Sequence, residues 1–291
     1  MVSISVIILT FNEELHIQRC IEKVKTLTDQ IFVVDSFSSD RTIQIASSLG
    51  AMVVQNKWPG NQAVQFNWAL DHLDINTEWI LRLDADEYLT DQMITEINER
   101  LLKIESPVNG IFLNRKLIFM GRLIKYGVDK VKILRIFRKN TARYSQTWMD
   151  EHLVLSGGET ITLDSYFVDD NLNTITNWTE KHNDYAIREA INMLDDRLKL
   201  LNESNTLTLQ QNKKSFYAKM PMFLRGFAYF VYRYIIKLGF LDGKEGFIRH
   251  FLQGFWYRTL VDAKLLEIQK ACGDDKTKIK EYLKQHYKIE L

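Results

Sequence analysis

Cysteine is scarce in this chain, with Cys20 and Cys272 the only two among 291 residues. So few thiols, so far apart, exclude a disulfide framework and a zinc site, fit a reducing compartment, and read as small packed hydrophobes. Proline is also rare, at three residues. No Gly/Ser-rich linker, internal repeat or low-complexity tract is visible. No apolar run reaches the roughly 18 residues of a membrane-crossing helix. The first residues run straight into an apolar β-branched segment without the charged and apolar regions of a secretory leader, so none is expected. Basic and acidic residues nearly balance, 38 against 37, and the net charge of +1 leaves no global basic field for nucleic acid. What is present is 46% hydrophobic and 26% charged, enough for one large domain or a domain with an appendage.

The most informative stretch is Trp79-Ile80-Leu81-Arg82-Leu83-Asp84-Ala85-Asp86-Glu87. Its apolar half reads as a short strand, and its end is acidic. Residues two apart on an extended segment point the same way, so Asp84 and Asp86 are expected to project together. Ligands of open α/β sheets bind beyond the carboxyl ends of the strands. Paired hard oxygen ligands there suit Mg²⁺ or Mn²⁺, which bridge to diphosphate oxygens. An isolated Asp-X-Asp is otherwise a solvated turn, and the upstream chain favours the site. Residues 4–10 are a β-branched strand, and Phe11-Asn12-Glu13-Glu14 opens a helix carrying Leu15, Ile17, Ile21 and Val24. Asn12 and Glu13 read equally as helix caps or as ligand contacts. A second strand, 30–35, ends in Asp35, and the polar loop after it leads to a helix at 42–49 that Asp40 can cap. A strand at 51–55, a turn at 57–60, a helix at 62–73 and the acidic strand complete β-α-β-α-β-α-β, which implies parallel pairing and right-handed crossovers.

Thr10-Phe11-Asn12-Glu13-Glu14, Val33-Val34-Asp35-Ser36-Phe37-Ser38-Ser39-Asp40-Arg41-Thr42 and Leu83-Asp84-Ala85-Asp86-Glu87 together resemble, in order and spacing, the family 2 glycosyltransferases of GT-A fold. Within that family the chain is similar to the bacterial lipopolysaccharide core β-glucosyltransferases. The segments that carry this are Lys57-Trp58 with Gln62, Asn67 and Ala69-Leu70, Arg115-Lys116 with Phe119 and Gly121, Leu134-Arg135-Ile136-Phe137-Arg138, and Leu241-Asp242-Gly243 with Gly246-Phe247. The resemblance implies an α/β GT-A domain, Rossmann-like, with a mostly parallel central sheet flanked by helices and a C-terminal α-helical extension. It implies that Thr10, Phe11, Asn12 and Glu13 cradle a nucleoside and that Asp35 accepts a hydrogen bond from its base. Asp84 would hold the ribose or phosphate region and Asp86 the metal, with Ser38, Lys57, Gln62, Asn67 and Ala85 completing the nucleotide-sugar site.

Beyond the acidic motif, a helix is expected at 91–104 and strands at 110–116 and 130–138 on the acceptor side. Arg115, Lys116 and Arg135 belong to a basic stretch that is either an ordinary solvated strand pair or faces an anionic acceptor or the diphosphate. Trp148-Met149-Asp150-Glu151-His152-Leu153 is the second chemical motif. Inverting sugar transfer needs a carboxylate that takes the proton of the attacking hydroxyl from the face opposite the leaving group. The resemblance favours Glu151 as that base, with Asp150 its rival and His152 structural or acceptor-facing. Residues 164–177 read as a polar surface loop and 178–201 as a helix. The expected division is a catalytic domain over 1–205, its nucleotide half ending near 105 and its acceptor half spanning 106–205, and a helical region over 206–291. In the latter, 216–269 is aromatic and apolar with cations, and Arg225, Arg233 and Lys237 share about one third of a helical circumference. That pattern fits either an anionic membrane surface or a helical packing element.

The expected activity is an inverting, metal-dependent transfer of glucose from UDP-glucose to a glycolipid or lipopolysaccharide core. Mn²⁺ or Mg²⁺ would be the cofactor, and the setting the cytoplasm or the inner face of its membrane. The alternatives are another UDP-sugar and cell-surface acceptor, or a nucleotide-sugar-binding protein without catalysis. Homo-oligomerisation stays open. A nucleotidyltransferase is disfavoured because no glycine-rich phosphate loop follows the first strand.

Overall fold

The structure is a computed structural model and describes residues 2–145, 152–200 and 220–290. It divides into two compact units, one comprising Met1–Ile124 and Asp129–Asn173, the other Lys125–Val128 and Thr174–Leu291.

The first unit is α/β, as the sequence implies. Its strands are β1 (Ile4–Thr10), β2 (Ile31–Asp35), β3 (Met52–Gln55), β4 (Trp79–Asp84), β5 (Glu87–Leu89), β6 (Val108–Phe119), β7 (Arg122–Ile124), β8 (Val131–Arg138), β9 (Ala142–Tyr144), β10 (Leu153–Leu155) and β11 (Glu159–Asp170). Among the described residues nine of these form one sheet in the order β3-β2-β1-β4-β8-β6-β11-β5, with β7 added to β6. β1 pairs in parallel with β2 and β4, β2 with β3, and β6 with β11; β8 and β5 run antiparallel to their neighbours. The β-branched run of β1 is buried on both faces because helices cover both. Ile4, Val6 and Ile8 join one core, with Ile17, Cys20, Ile21 and Val24 of α1 (Ile17–Val24), with Ala46 of α2 (Thr42–Ser48) and with Met93, Ile94 and Ile97 of α4 (Asp91–Leu101). Ile7, of opposite parity, joins the other with Ala63, Phe66 and Ala69 of α3 (Gln62–His72).

Two local expectations change. The first helix begins at Ile17 rather than at Asn12, and Asn12 has a left-handed backbone, φ +56°, which asparagine tolerates. The stretch read as a loop from residue 164 is the second half of β11, with Phe167 fully buried. Pairing with β5 and β6 on either side overrides its polar composition.

In the second unit, Ala186, Ala190 and Leu194 of α5 (Ile175–Leu198) share a core with Val261, Leu265 and Ile268 of α8 (Tyr257–Cys272) and Ile279 and Leu283 of α9 (Lys276–Tyr287). The compact division therefore falls at Asn173/Thr174, ahead of the 205/206 boundary expected from composition. Between α5 and α8 lie α6 (Leu224–Val231), a wide π-turn at Tyr232–Ile236, a 3₁₀ turn at Gly239–Asp242, α7 (Gly243–His250) and a second π-turn at Phe251–Trp256. The wide turn resets the helical phase, so Arg225, Arg233 and Lys237 do not form one outward stripe. Arg225 is 2% exposed and pairs with Asp262, Arg233 donates to the Gly127 carbonyl, and Lys237 is the exposed one of the three.

His250 is fully buried and packs against Gly127 and Gly239, where an added Cβ would approach its ring to 2.5 Å. Burial, reinforced by the Arg233 and Arg249 charges and opposed by Asp242, lowers its pKa to about 4. The unfolded chain therefore takes up this proton near pH 6.5 and the folded one only near 4. Stability is lost as pH falls through that window, by at most about 1.4 kcal/mol per pH unit. Thermal melts between pH 7 and 4.5 should show a shallower decline for His250→Gln than for the wild type; parallel declines would refute this.

Candidate active site

The sheet register brings the predicted strand-end residues side by side. Thr10 lies opposite Asp35, Asp35 opposite Gln55, and Leu9 opposite Asp84. Thr10, Asp35, Gln55 and Asp84 thus line the carboxyl edge of four parallel strands, where an open α/β sheet holds its ligand.

Asp35 is fully buried. It accepts from Thr10 Oγ1 at 3.0 Å, from the Ser38 main-chain N–H at 2.8 Å, from Ser38 Oγ, and from Gln55 Nε2 at 3.4 Å. These donors fill the roughly four acceptor positions of a carboxylate, and the Gln55 bond is the longest of the four. A base reaching Asp35 would therefore displace Gln55, a residue the sequence did not single out. The first two loops at this edge are laced together. The Asn12 N–H donates to Ser38 Oγ at 2.8 Å, and Asn12 Oδ1 accepts from the Ser39 N–H at 2.8 Å. The Glu13 N–H donates to Thr42 Oγ1 at 2.7 Å, and the Glu14 N–H to Asp40 Oδ2 at 3.0 Å. This lacing explains the left-handed Asn12 and leaves Phe11 and Phe37 exposed, at 59% and 57%. Lys57 is exposed in the loop after β3.

Asp84 is held by protein donors. Arg82 donates to Oδ1 at 2.9 Å, Gln62 Nε2 to the same oxygen at 3.3 Å, and Arg135 to Oδ2 at 3.1 Å. Arg135, expected to face the acceptor, is instead 3% exposed and also grips Glu87. Glu87 Oε2 accepts the Asp84 N–H at 3.0 Å, so the Arg135–Glu87 pair supports Asp84 through both its side chain and its main chain. Burial pushes the Glu87 carboxyl above the usual carboxylate range, against the pull of the Arg135 guanidinium. Arg82 is buried and bonded to the Tyr144 hydroxyl, with its guanidinium 4.7 Å from that ring.

Asp86 follows the buried Ala85 and is half-buried. Its Oδ2 accepts from Asn171 Nδ2 at 2.9 Å and its main-chain carbonyl from the Asp170 N–H at 3.0 Å. The segment after β11 also meets the first loop: the Leu172 N–H donates to His16 Nε2 at 2.8 Å, and His16 Nδ1 lies 2.6 Å from Glu13 Oε2. Nε2 being the acceptor, Nδ1 carries the proton and donates to Glu13. Arg19 bonds Asp170 from α1. His16, Arg19, Asp170 and Asn171 were missed because their partners lie far away in sequence, and no local pattern joins them.

Other predicted residues are engaged elsewhere. Asn67 spends its amide on the main chain of Tyr144, donating to its carbonyl and accepting from its N–H, both at 2.9 Å, so it anchors β9 rather than reaching a ligand. On β6, Arg115 pairs with Asp169 at 3.2 Å, and Lys116 lies 3.3 Å from the centre of the Tyr166 ring. His152 is exposed and pairs through its main chain with Ser145. Asp150 and Glu151 lie outside the described residues.

Among the described residues no group of three or more His, Cys, Asp or Glu side chains is arranged to hold a metal. Mg²⁺ is commonly bound through one or two carboxylates plus substrate phosphates and waters, so Asp86 beside the crevice fits a substrate-borne ion rather than a pre-formed cage.

These features belong to an open α/β sheet with a polar edge formed by four strand ends. The chain belongs to glycosyl transferase family 2, whose model matches residues 5–169. An uncharacterised glycosyltransferase of Rickettsia typhi is 34% identical over 150 residues, covering 50% of each chain. The lipopolysaccharide core biosynthesis glycosyltransferase LpsC of Rhizobium meliloti is 28% identical over 151 residues, 48% of this chain and 53% of that one. The chain thus spans about half the length of the curated relatives it matches. Among solved structures, glucosyl-3-phosphoglycerate synthase from Mycobacterium tuberculosis, in complex with Mn²⁺, UDP and glucosyl-3-phosphoglycerate, aligns over 41% of this chain and 44% of its own. The identity is 21% and the TM-score 0.32.

Proposed function

We propose that this protein transfers a hexose, with glucose from UDP-glucose as first choice, to a hydroxyl of a glycolipid or lipopolysaccharide-type acceptor, with inversion at the anomeric carbon. The observation that carries the reading is the register that aligns Thr10, Asp35 and Asp84 on one sheet edge with Asp86 two residues on. The acceptor class draws on the likeness to a lipopolysaccharide core glycosyltransferase. In this reading the exposed rings of Phe11 and Phe37 flank the base, and Asp84, fixed by Arg82 and Arg135, orients the ribose. Asp86 holds a divalent ion, Mn²⁺ or Mg²⁺, which when bound would offset the charge gathering on the departing diphosphate. Glu151, with Asp150 as its rival, takes the proton of the acceptor hydroxyl as that oxygen bonds to the anomeric carbon. The bond from that carbon to the diphosphate breaks in the same step, and the nucleotide leaves with the electron pair.

The test is UDP release from UDP-glucose, with and without Mn²⁺, for the wild type, Glu151→Gln and Asp150→Asn. Loss of a general base lowers the rate by about 10²–10⁴-fold, and the loss is expected in Glu151→Gln, with a smaller change in Asp150→Asn. Absence of release from every UDP-sugar, together with no thermal stabilisation by UDP and Mn²⁺, would overturn the reading.

A further inference from the structure

The second unit carries an aromatic surface that its own core does not use. That core comes from α5, α8 and α9, whereas residues 223–255 build a separate ring cluster around Phe230. The Phe230 ring centre lies 5.3 Å from Tyr234, 6.3 Å from Phe247 and 6.1 Å from Phe251, and Tyr234 continues the cluster to Phe240 at 6.2 Å. The rings touch one another yet face solvent: Phe240 is 43% exposed and Phe247 45%. Aliphatic neighbours in the same stretch are as bare, with Leu224 at 55%, Ile236 at 67% and Leu241 at 47%. Phe223 and Leu238 hold left-handed backbones, φ +66° and +60°, and both are exposed. Strained positions in bulky apolar residues persist only where the surrounding fold imposes them.

The charges of this segment are one-sided. Between residues 220 and 251 the cations that are not buried are Arg233, Lys237, Lys244 and Arg249, against Asp242 and Glu245, while Arg225 is buried and neutralised by Asp262. Asp242 is 2% exposed, and its Oδ2 accepts the main-chain N–H groups of Lys125 and Tyr126 at 2.9 and 2.8 Å. Glu245 is half-buried, whereas Lys237 and Lys244 are exposed.

We propose that this face binds the surface of an anionic lipid bilayer. Connected exposed apolar groups mark an interaction site. Rings and aliphatic side chains at head-group level, beside cations, are what an interfacial helix presents to acidic lipid. A second copy of this face fits less well, because a two-fold contact buries the same patch from both partners, and this patch has two exposed lysines and no fully exposed acid between residues 220 and 251 to offer them. The contact is interfacial, since no helix among the described residues is long and apolar enough to cross a membrane.

The experiment is co-sedimentation of the full chain with vesicles of phosphatidylcholine alone or mixed with phosphatidylglycerol, without donor or acceptor. The wild type is expected to bind the mixed vesicles at least tenfold more tightly than the neutral ones. Ile236→Glu with Leu241→Glu should lower that binding at least tenfold, and Lys237→Glu with Lys244→Glu should abolish the preference for the acidic lipid. All four positions are exposed, so melting temperature and stabilisation by UDP should be unchanged. The transferase reading is thereby tested separately. Equal binding by wild type and Ile236→Glu/Leu241→Glu, or none to the mixed vesicles, would overturn the proposal. A dimer in sedimentation equilibrium that Ile236→Glu/Leu241→Glu dissociates, without vesicle binding, would assign the face to a second copy and overturn it too.

Discussion

Asp86→Ala is expected to lower sugar transfer by about 10²–10³-fold while leaving the fold intact. A divalent ion at a leaving diphosphate contributes several kcal/mol of transition-state stabilisation, and each 1.4 kcal/mol is a factor of about ten. The structural consequence of the substitution is small by comparison. Asp86 is half-buried, its side chain has Asn171 as its hydrogen-bond partner, and its main-chain carbonyl keeps the Asp170 N–H. Differential scanning fluorimetry without ligand should give a melting temperature within a few degrees of the wild type, about what a change under 1 kcal/mol produces. The informative readout is the part of UDP-induced stabilisation that requires Mn²⁺. It should disappear in Asp86→Ala, and the metal-independent part should remain. Retention of Mn²⁺-dependent stabilisation would move the ion to another carboxylate.

Arg135→Met is expected to be the most damaging single change in the first unit. Arg135 is 3% exposed, and it bonds both Glu87, itself 2% exposed, and Asp84. Removing one partner of a buried ion pair leaves an uncompensated charge, at a cost of about 3–5 kcal/mol. Burial raises the Glu87 carboxyl against the pull of the guanidinium, so without that pull Glu87 must hold a buried charge or take up a proton on folding, and either way the fold is destabilised. The double change Arg135→Met with Glu87→Met replaces the pair by apolar groups of similar length. It should recover most of the lost stability in urea denaturation, because a buried pair gives little net stability over packed hydrophobes. Activity should not recover, since Asp84 then loses both the Arg135 bond to Oδ2 and the Glu87 acceptor for its own N–H. A double variant as active as the wild type would make the pair purely architectural.

These predictions rest on contacts of different legibility. The parallel half of the sheet was readable because β1, β2 and β4 are β-branched or apolar runs that end in chemically distinct residues, Thr10, Asp35 and Asp84. Their parallel pairing follows from topology rules that need no coordinates, whereas the order that sets β1 between β2 and β4 comes from the structure. Arg135 was misread because a basic residue on a strand has no sequence mark that separates a solvated cation from a buried one. Its acidic partner Glu87 is 48 residues away. Half of β11 reads as a loop for a similar reason: Asp164-Ser165 and Asp169-Asp170 are poor strand formers, and what holds the segment is distant in sequence, the β6 and β5 ladders from Tyr166 onward and Glu96 on the Asp164 and Ser165 N–H groups. The resemblance places Asn67 at the ligand, yet its amide donates to and accepts from the main chain of Tyr144 in β9. Asp150 and Glu151, where the base is proposed, lie outside the described residues.

The four residues Lys125–Val128 belong to the second unit although the chain on both sides belongs to the first. They are gripped there by Asp242 through the Lys125 and Tyr126 N–H groups, by Arg233 on the Gly127 carbonyl, and by the Lys237 carbonyl on the Gly127 N–H at 2.9 Å. The polypeptide therefore crosses between the units three times, and no single cut separates them cleanly. A chimaera that borrows everything after Asn173 from a homologue must also import this tetrapeptide, or the graft arrives with an empty clasp.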